Sequence, residues 1–410
     1  MTERDASGIA AYRAVFGLRG VATLIGVSFV ARIPASAAAI TLTLHVVLTL
    51  GLGYGAAGLV GAASTIGMAI GAPLLGRFVD RRGLRTMVVA TTAAEAVFWT
   101  VAPWLPYPAL LVGAVLGGLL GLPVYSVVRQ SLAVMVPLHR RRPAFAIDSM
   151  SVDLSYIIGP ALGALLALQV SSSIAMWLVG AGWVAAGVAL WALDPPTRAP
   201  VDRSAPLPAP SRAREWFTTR LTAALLATTV AVALVYGTEL SMIAGLQSSG
   251  QASSIALVNA LWCVASVTGG FLYGAARRSA GLFVLVACLG LATLPIGLAG
   301  PWWSYVLLLI PAGLLTAPSL AASSETVSAL APEHARGVVT GLHGSAITIG
   351  AAIATPITGL LIDIASPSTA VVAVGSAGVV AAAAAALLAR RGNRSARATV
   401  ATSSAASQRI

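Results

Sequence analysis

The sequence has few charged residues and no lysine at all. Only 9% of its 410 residues are charged, whereas soluble domains carry about 25%. A water-soluble core cannot be surrounded by so few charges, and a hydrophobic content of 58% excludes a disordered chain. The composition therefore predicts an integral membrane protein.

The missing lysine and the two isolated cysteines exclude several chemistries. A nucleotide-binding P-loop needs a Gly-Lys-Ser/Thr sequence, so the chain cannot itself be a nucleotide-driven pump. A Schiff-base enzyme needs a lysine as well. Cys263 and Cys288 lie in separate apolar runs, and no Cys-x-x-Cys or His/Cys cluster occurs. We therefore expect neither a metal nor a cofactor.

The net charge of +12 comes from 25 arginines, which form short clusters between apolar runs. Short clusters beside membrane segments favour anionic membrane lipid as their partner. We therefore expect contacts with lipid and no binding of nucleic acid.

The apolar runs have the length of transmembrane helices, for which a bilayer requires roughly 20 residues. Six runs lie on each side of a polar stretch rich in proline and arginine. They fall near 21–48, 54–76, 87–105, 108–136, 144–168 and 173–193, then 219–244, 252–275, 280–299, 302–322, 338–363 and 369–389. We predict an all-α membrane protein of twelve transmembrane helices, arranged as two six-helix repeats around a central cavity.

The domain boundaries follow from this count. We predict an N-terminal half at 1–193, a cytoplasmic linker at 194–218, a C-terminal half at 219–389 and a basic, disordered cytoplasmic tail at 390–410. Two unrelated domains are the less favoured alternative, because both halves show the same order of glycine-rich and arginine-rich breaks. If successive connections between helices lie on alternate sides of the membrane, 23 of the 25 arginines fall on one side. The positive-inside rule then predicts a plasma-membrane protein with both termini cytoplasmic.

Six ionisable residues fall within or beside the apolar runs. Each charge within a membrane helix costs roughly 2.5–3.5 kcal/mol on insertion scales, so such residues are candidates for function. They are Arg32, Arg129, Glu95, Asp153, Glu239 and, near a boundary, Asp148.

Two arginines cannot neutralise all the carboxylates among these residues. At least one carboxylate is therefore expected to lack a fixed cation and to be able to carry a proton. Asp153 is the first candidate, followed by Glu239. Glu95 ranks lowest because the third helix of such a bundle is often peripheral. All of these residues are candidates for proton coupling or for the substrate cavity.

A motif that combines glycine, aspartate and arginine follows the second apolar run. The stretch from Gly76 through Asp80, Arg81 and Gly83 to Arg85 predicts a tight cytoplasmic turn. In this turn the carboxylate of Asp80 is expected to accept hydrogen bonds from an arginine side chain or from the N-terminus of a neighbouring helix. The stretch resembles the signature loop G-x-x-x-D-R-x-G-x-R of the major facilitator superfamily. That resemblance implies a gating loop that clamps two halves together on the cytoplasmic side.

A second motif lies in the fifth run. Gly159, Pro160 and Gly163 permit close helix packing and a bend. Their placement resembles the fifth-helix antiporter motif of exporters in the same superfamily, G-x-x-x-G-P-x-x-G-G, with Ser155 and Ala164 at its two ends. The stretch from Arg129 to Pro160 also resembles actinobacterial members. The arginine that drug exporters often carry in the fourth helix is missing from the expected position.

The resemblance implies a proton-coupled exporter, or antiporter, that moves a small organic molecule, such as a drug, by alternating access. A monomer is expected. Proton-coupled uptake of a small solute such as a sugar is the runner-up, since only the Gly-Pro motif favours export. A membrane-embedded enzyme is disfavoured because no acid/base pair, metal spacing or nucleophile motif occurs. A receptor or scaffold is disfavoured because no large soluble domain is present.

Overall fold

A computed structural model of the chain describes residues 9–197, 217–276, 280–332 and 335–407. Within these ranges the chain is almost entirely helical and contains no strand. The predicted linker, 194–218, lies mostly outside the described residues.

Eight helices form the first half. They are α1 (Ile9–Phe16), α2 (Val21–Leu44), α3 (Tyr54–Arg82), α4 (Leu84–Val101), α5 (Tyr107–Leu120), α6 (Val124–Met135), α7 (Arg141–Gln169) and α8 (Ser172–Leu193). A π-helical turn, His45–Thr49, extends α2. Prolines lie inside α2, α3 and α7, where each removes one backbone hydrogen bond.

Six helices form the second half. They are α9 (Thr219–Ser248), α10 (Ile255–Ala275), α11 (Leu282–Thr293), α12 (Trp302–Leu330), α13 (Arg336–Ile364) and α14 (Pro367–Ser407). The last helix extends beyond 389, the predicted end of this half.

Eleven stretches of the described chain are long and apolar enough to cross a membrane. This confirms a multi-pass membrane protein. The remaining predicted span, near 280–299, is shorter than the others. It contains the 12 residues of α11 and a 3-10 turn of 5 residues, Leu294–Leu298, which has a proline at its start. Length and apolarity alone therefore support eleven spans.

The two halves repeat the same helix packing. In the first half α2 packs on α7 and α8, α3 packs on α5, and α4 packs on α8. In the second half α9 packs on α13 and α14, α10 packs on α12, and α11 packs on α14. The order of the helices along the chain makes these pairs equivalent, which is the pattern of two structural repeats.

The predicted fourth span, 108–136, is not one continuous helix. Helix α5 ends at Leu120 and α6 begins at Val124, with Gly121 and Pro123 between them. Proline cannot donate a backbone hydrogen bond and clashes with the preceding turn, so the helix breaks here.

The two halves meet along two seams. In the first seam, α3 packs on α13: a Cβ on Gly76 would lie 2.2 Å from the Gly337 oxygen, and one on Gly341 would lie 2.4 Å from the Ala72 oxygen. Further along, the Ser345 hydroxyl donates to the Ala69 carbonyl at 2.7 Å. Side chains larger than hydrogen are excluded at these glycines, so the two backbones touch.

In the second seam, α7 packs on α10. A Cβ on Gly274 would lie 2.9 Å from the Ala146 Cβ, and one on Gly270 would lie 2.9 Å from Met150 Cγ. Both seams start at the helix ends that adjoin Arg81, Arg82 and Arg140–Arg142, which we call the basic end. They reach about halfway along the helices, so the described contacts close the protein at its basic end.

The short helix α1, which was not predicted, bridges the halves at the same end. The Tyr12 hydroxyl donates to the Phe271 carbonyl at 2.5 Å, and the two rings stack with centroids 4.9 Å apart. Burial raises the pKa of Tyr12 well above its ordinary value, so the hydroxyl keeps the proton that it donates.

Candidate functional site

Three of the predicted candidates form one buried ion cluster in the first half. Arg32 Nη2 lies 2.5 Å from Asp148 Oδ1, and Arg129 Nε lies 3.2 Å from Asp148 Oδ2. Their side chains are at most 5% exposed. The arginine cluster (Arg32, Arg129 and Asp148) therefore uses both carboxylate oxygens and keeps one surplus positive charge, because arginine stays protonated in proteins.

Further contacts fix the orientation of Arg32. Its Nη1 donates to the Ser151 hydroxyl at 2.5 Å and to the Asp148 carbonyl at 3.3 Å. Its guanidinium also lies 5.0 Å from the ring centroid of Tyr125, within the range of a cation–π interaction. The residues come from α2, α6 and α7, so the cluster ties three helices of one half together.

Asp153 is separate from the arginine cluster and faces the other half. It lies on α7 in the second seam, and its Oδ2 is 2.6 Å from the hydroxyl of Ser266 on α10. The same hydroxyl accepts from the backbone N–H of Ala317 on α12 at 3.2 Å. The Asp153–Ser266 hydrogen bond therefore joins a side chain of the first half directly to a side chain of the second.

Glu239 lies on α9, in the second half. Among the described residues it makes no hydrogen bond or ion pair, but it interacts electrostatically with Tyr236 and Cys263. Cys263 also interacts with Asp153, and Tyr236 with Tyr156 of the first half. Tyr156 is 46% exposed although it lies at the middle of α7. These groups lie on α7, α9 and α10, so the interactions connect the two halves beside Asp153.

Glu95 lies away from both seams. It is buried in α4, where its Oε2 accepts from Trp99 Nε1 of the same helix at 2.7 Å. It also accepts from the backbone of Leu122, in the break between α5 and α6. The carboxylate therefore satisfies a backbone N–H that the broken helix leaves without an intrahelical partner.

The position of Glu95 predicts a structural part for it. We expect Glu95→Gln to lower the free energy of unfolding by less than about 1 kcal/mol, since a glutamine oxygen can accept both hydrogen bonds. Titration of the purified protein with a denaturing detergent, beside the parent protein, checks this. A loss of more than about 3 kcal/mol in Glu95→Gln would instead show that the negative charge of this residue stabilises the break between α5 and α6.

Asp80 of the signature motif joins the two halves. Its Oδ1 and Oδ2 accept from the backbone N–H groups of Gly337 and Val338, each at 3.0 Å. These groups belong to the N-terminus of α13, where the helix dipole favours a negative charge. Of the two partners expected for this carboxylate, the described contacts include the helix N-terminus.

The expected tight turn over the whole motif is wrong in its extent. Helix α3 continues to Arg82, so Gly76, Asp80 and the exposed Arg81 are helical. The turn is confined to Gly83, whose φ of 83° favours glycine. Arg85 lies in the first turn of α4, and its Nε is 3.1 Å from Oδ2 of Asp194, the residue that follows α8; both side chains are exposed.

The Gly-Pro motif packs within the first half. A Cβ on Gly159 would lie 1.9 Å from Ser36 Oγ, and one on Gly163 would lie 2.8 Å from Thr41 Oγ1. Pro160 lies between them inside α7. The motif therefore sets the close approach of α7 to α2, the helix that carries Arg32.

Sequence reasoning missed the partners of the charged groups. Ser151 and Ser266 gave no signal, because single hydroxyl residues are common in apolar helices. A weak signal existed for Tyr125, which precedes Arg129 by four residues and so shares its helix face. No pattern connects Ser266 with Asp153, since they are far apart in sequence.

Two structural repeats of membrane-spanning helices that meet around buried charges are typical of a class of membrane transporter. The family model for the Major Facilitator Superfamily matches residues 24–342, and the chain belongs to that superfamily. It is therefore a secondary transporter rather than an enzyme. No curated protein matches the sequence.

Solved structures share the fold at low sequence identity. The human organic anion transporter MFSD10 (TETRAN) is 18% identical, with a TM-score of 0.72 over 89% of this chain and 98% of that one. A bacterial homologue of the iron transporter ferroportin, in an outward-facing state, is 15% identical, with a TM-score of 0.70 over 90% and 100%. A variant of the E. coli fucose:proton symporter FucP is 16% identical, with a TM-score of 0.63 over 90% and 98%.

Proposed function

We propose that the protein exports a small organic molecule in exchange for protons, and that its two six-helix halves alternate access to a site between them. We include a multidrug type of antiporter in this proposal, because the mostly apolar helices suit an amphipathic or lipophilic substrate. Export is the direction favoured by the Gly159-Pro160-Gly163 motif.

The observation that carries this proposal is the position of Asp153. Both arginines of the membrane interior are engaged by Asp148, whereas Asp153 bonds to a neutral hydroxyl. It lies in a seam that must open when access alternates. A carboxylate without a fixed cation, placed at a moving interface, is suited to take up and release a proton in each cycle.

The other candidates take different parts in this proposal. The arginine cluster orients α2, α6 and α7 beside the cavity, and Asp80 holds the basic end closed. Glu239 contacts the substrate from the second half, together with Tyr236. Glu95 supports the break between α5 and α6.

We further propose the topology on which this cycle depends. Leu282–Leu298 serves as the ninth of twelve spans, because about 17 helical residues extend roughly 26 Å and nearly cover the hydrocarbon core. The basic end faces the cytoplasm, with both termini, the linker at 194–218 and the tail at 390–410. The protein acts as a monomer in the plasma membrane, and its surface arginines contact anionic lipid.

The decisive experiment compares the parent with Asp153→Asn. A panel of amphipathic dyes and antibiotics is first tested for efflux from a pump-deficient host. Everted vesicles then report proton release from the lumen when a transported compound is added. We expect Asp153→Asn to abolish substrate-dependent proton release, since the side chain of asparagine does not bind and release a proton near neutral pH.

The outcomes separate the alternatives. Full proton release by Asp153→Asn would overturn the assignment of the proton to this residue. Accumulation of a compound, rather than its loss, on expression would establish the runner-up, proton-coupled uptake.

A further inference from the structure

The hydrogen bond between Asp153 and Ser266 has a fixed direction. The backbone N–H of Ala317 can only donate, so it occupies one lone pair of the Ser266 oxygen. The serine proton is then available for Asp153 Oδ2, at 2.6 Å. This distance is in the range of O–H donors bound to carboxylates, which are about twice as strong as neutral pairs.

A donor held in this way distinguishes the two forms of Asp153. The ionised carboxylate accepts the serine proton and keeps the bond between the halves. A protonated Asp153 can still bond to Ser266, through its carbonyl oxygen or by donating to the second lone pair of the serine oxygen, but the bond then joins two neutral groups and is about half as strong. Because the two residues lie on different halves, the bond can exist only while the second seam is closed.

The structure therefore assigns a role to Ser266: we propose that it is the positioning residue through which the charge of Asp153 controls the second seam. The ionised carboxylate locks the basic end shut. A proton that arrives from the opposite end of the protein releases the lock. After the substrate has left at the opposite end, an empty, unprotonated transporter then cannot open its basic end again. This is one condition for exchange. This proposal rests on the proposed function, in which Asp153 carries the proton.

Other titratable groups near Asp153 do not replace this role. The thiol of Cys263 interacts with Asp153 and, on its other side, with Glu239. Cys263 lies on the same helix as Ser266, so it moves together with it. Arg32 and Arg129 are both bound to Asp148.

The experiment measures how pH sets the closure of the basic end. Spin labels at exposed Thr86 and Ala329 report the separation of the halves in nanodiscs, in a chain with Cys263 and Cys288 replaced by alanine. In the parent, the closed population should be largest at high pH and should fall as Asp153 becomes protonated. In Ser266→Ala, the ratio of closed to open should fall on the order of tenfold to a hundredfold at high pH.

A matched control and a double variant make the result specific. Thr268→Ala removes a hydroxyl from the same helix whose described hydrogen bond is to the Val264 carbonyl, and it should behave like the parent. Asp153→Asn should remove the pH dependence, and adding Ser266→Ala to it should change little further. If Ser266→Ala shows the parent's pH profile, Ser266 has no such role.

Two further measurements distinguish a failure of the Asp153 assignment from a failure of the Ser266 role, and allow for a variant that folds poorly. If Asp153→Asn keeps proton-coupled transport, the assignment of the proton to Asp153 in the proposed function fails, whereas a parent-like profile of Ser266→Ala overturns only the role of Ser266. If Ser266→Ala folds poorly, Ser266→Cys keeps the shape of the side chain with a weaker donor. Hydrogen–deuterium exchange at the basic ends of α7 and α10, corrected for the intrinsic effect of pH, then gives the same readout without labels.

Discussion

Asp148→Asn is expected to lower the free energy of unfolding by about 3–5 kcal/mol, because it leaves two buried guanidiniums without their shared carboxylate. Arg32 and Arg129 lie at opposite oxygens of Asp148 and have no other described carboxylate within 4 Å. Titration of the purified protein with a denaturing detergent, together with the yield of monodisperse protein, measures this effect.

Two comparisons test the charge argument. Arg129→Gln combined with Asp148→Asn restores the original surplus of one positive charge and should recover part of the lost stability. Asp153→Asn removes a carboxylate that pairs with no arginine among the described residues, so it should cost much less. Parent-like stability of Asp148→Asn would mean that the cluster is not the main tie between α2, α6 and α7.

Gly341→Val is expected to keep the basic end open and to stop transport. Its Cβ would lie 2.4 Å from the Ala72 oxygen, a backbone atom that cannot move away without separating α3 from α13. Overpacking of this kind costs about 1–3 kcal/mol, which shifts a two-state equilibrium by roughly fivefold to 150-fold. The spin-label pair at Thr86 and Ala329 should then report long distances at every pH.

Gly26→Val is the matched control for this substitution. Nothing lies within 4 Å of the position that a Cβ would take at Gly26. The same side chain should therefore leave both the distances and transport unchanged. A closed basic end in Gly341→Val would show that the first seam tolerates a side chain, against the contact seen here.

The architecture could be predicted from the sequence because membrane helices are recognised by their length and apolarity. Arginine placement and the Gly76–Arg85 motif indicated the correct superfamily. The helix break at Gly121–Pro123 and the helical course of Gly76–Arg82 were not foreseen. Both depend on how local backbone geometry is satisfied by neighbours, which a hydropathy pattern does not encode.

The candidate site was predictable in its charged members but not in its pairings. The sequence showed that Arg129 and Asp148 are one short loop apart, yet not that Asp148 would bind Arg32 as well. That choice leaves Asp153 and Glu239 without a cationic partner among the described residues, as the charge count had indicated for at least one carboxylate. Ser266 became visible only when two distant helices were brought together.

The surplus charge of the arginine cluster connects this fold to the electrical state of the membrane. One elementary charge that crosses the whole membrane field changes in energy by about 2.3 kcal/mol per 100 mV. If the first half tilts as access alternates, the cluster moves through a fraction of that field. Membrane voltage would then bias the balance between the two states by about 0.2 kcal/mol for each tenth of the field crossed at about 100 mV.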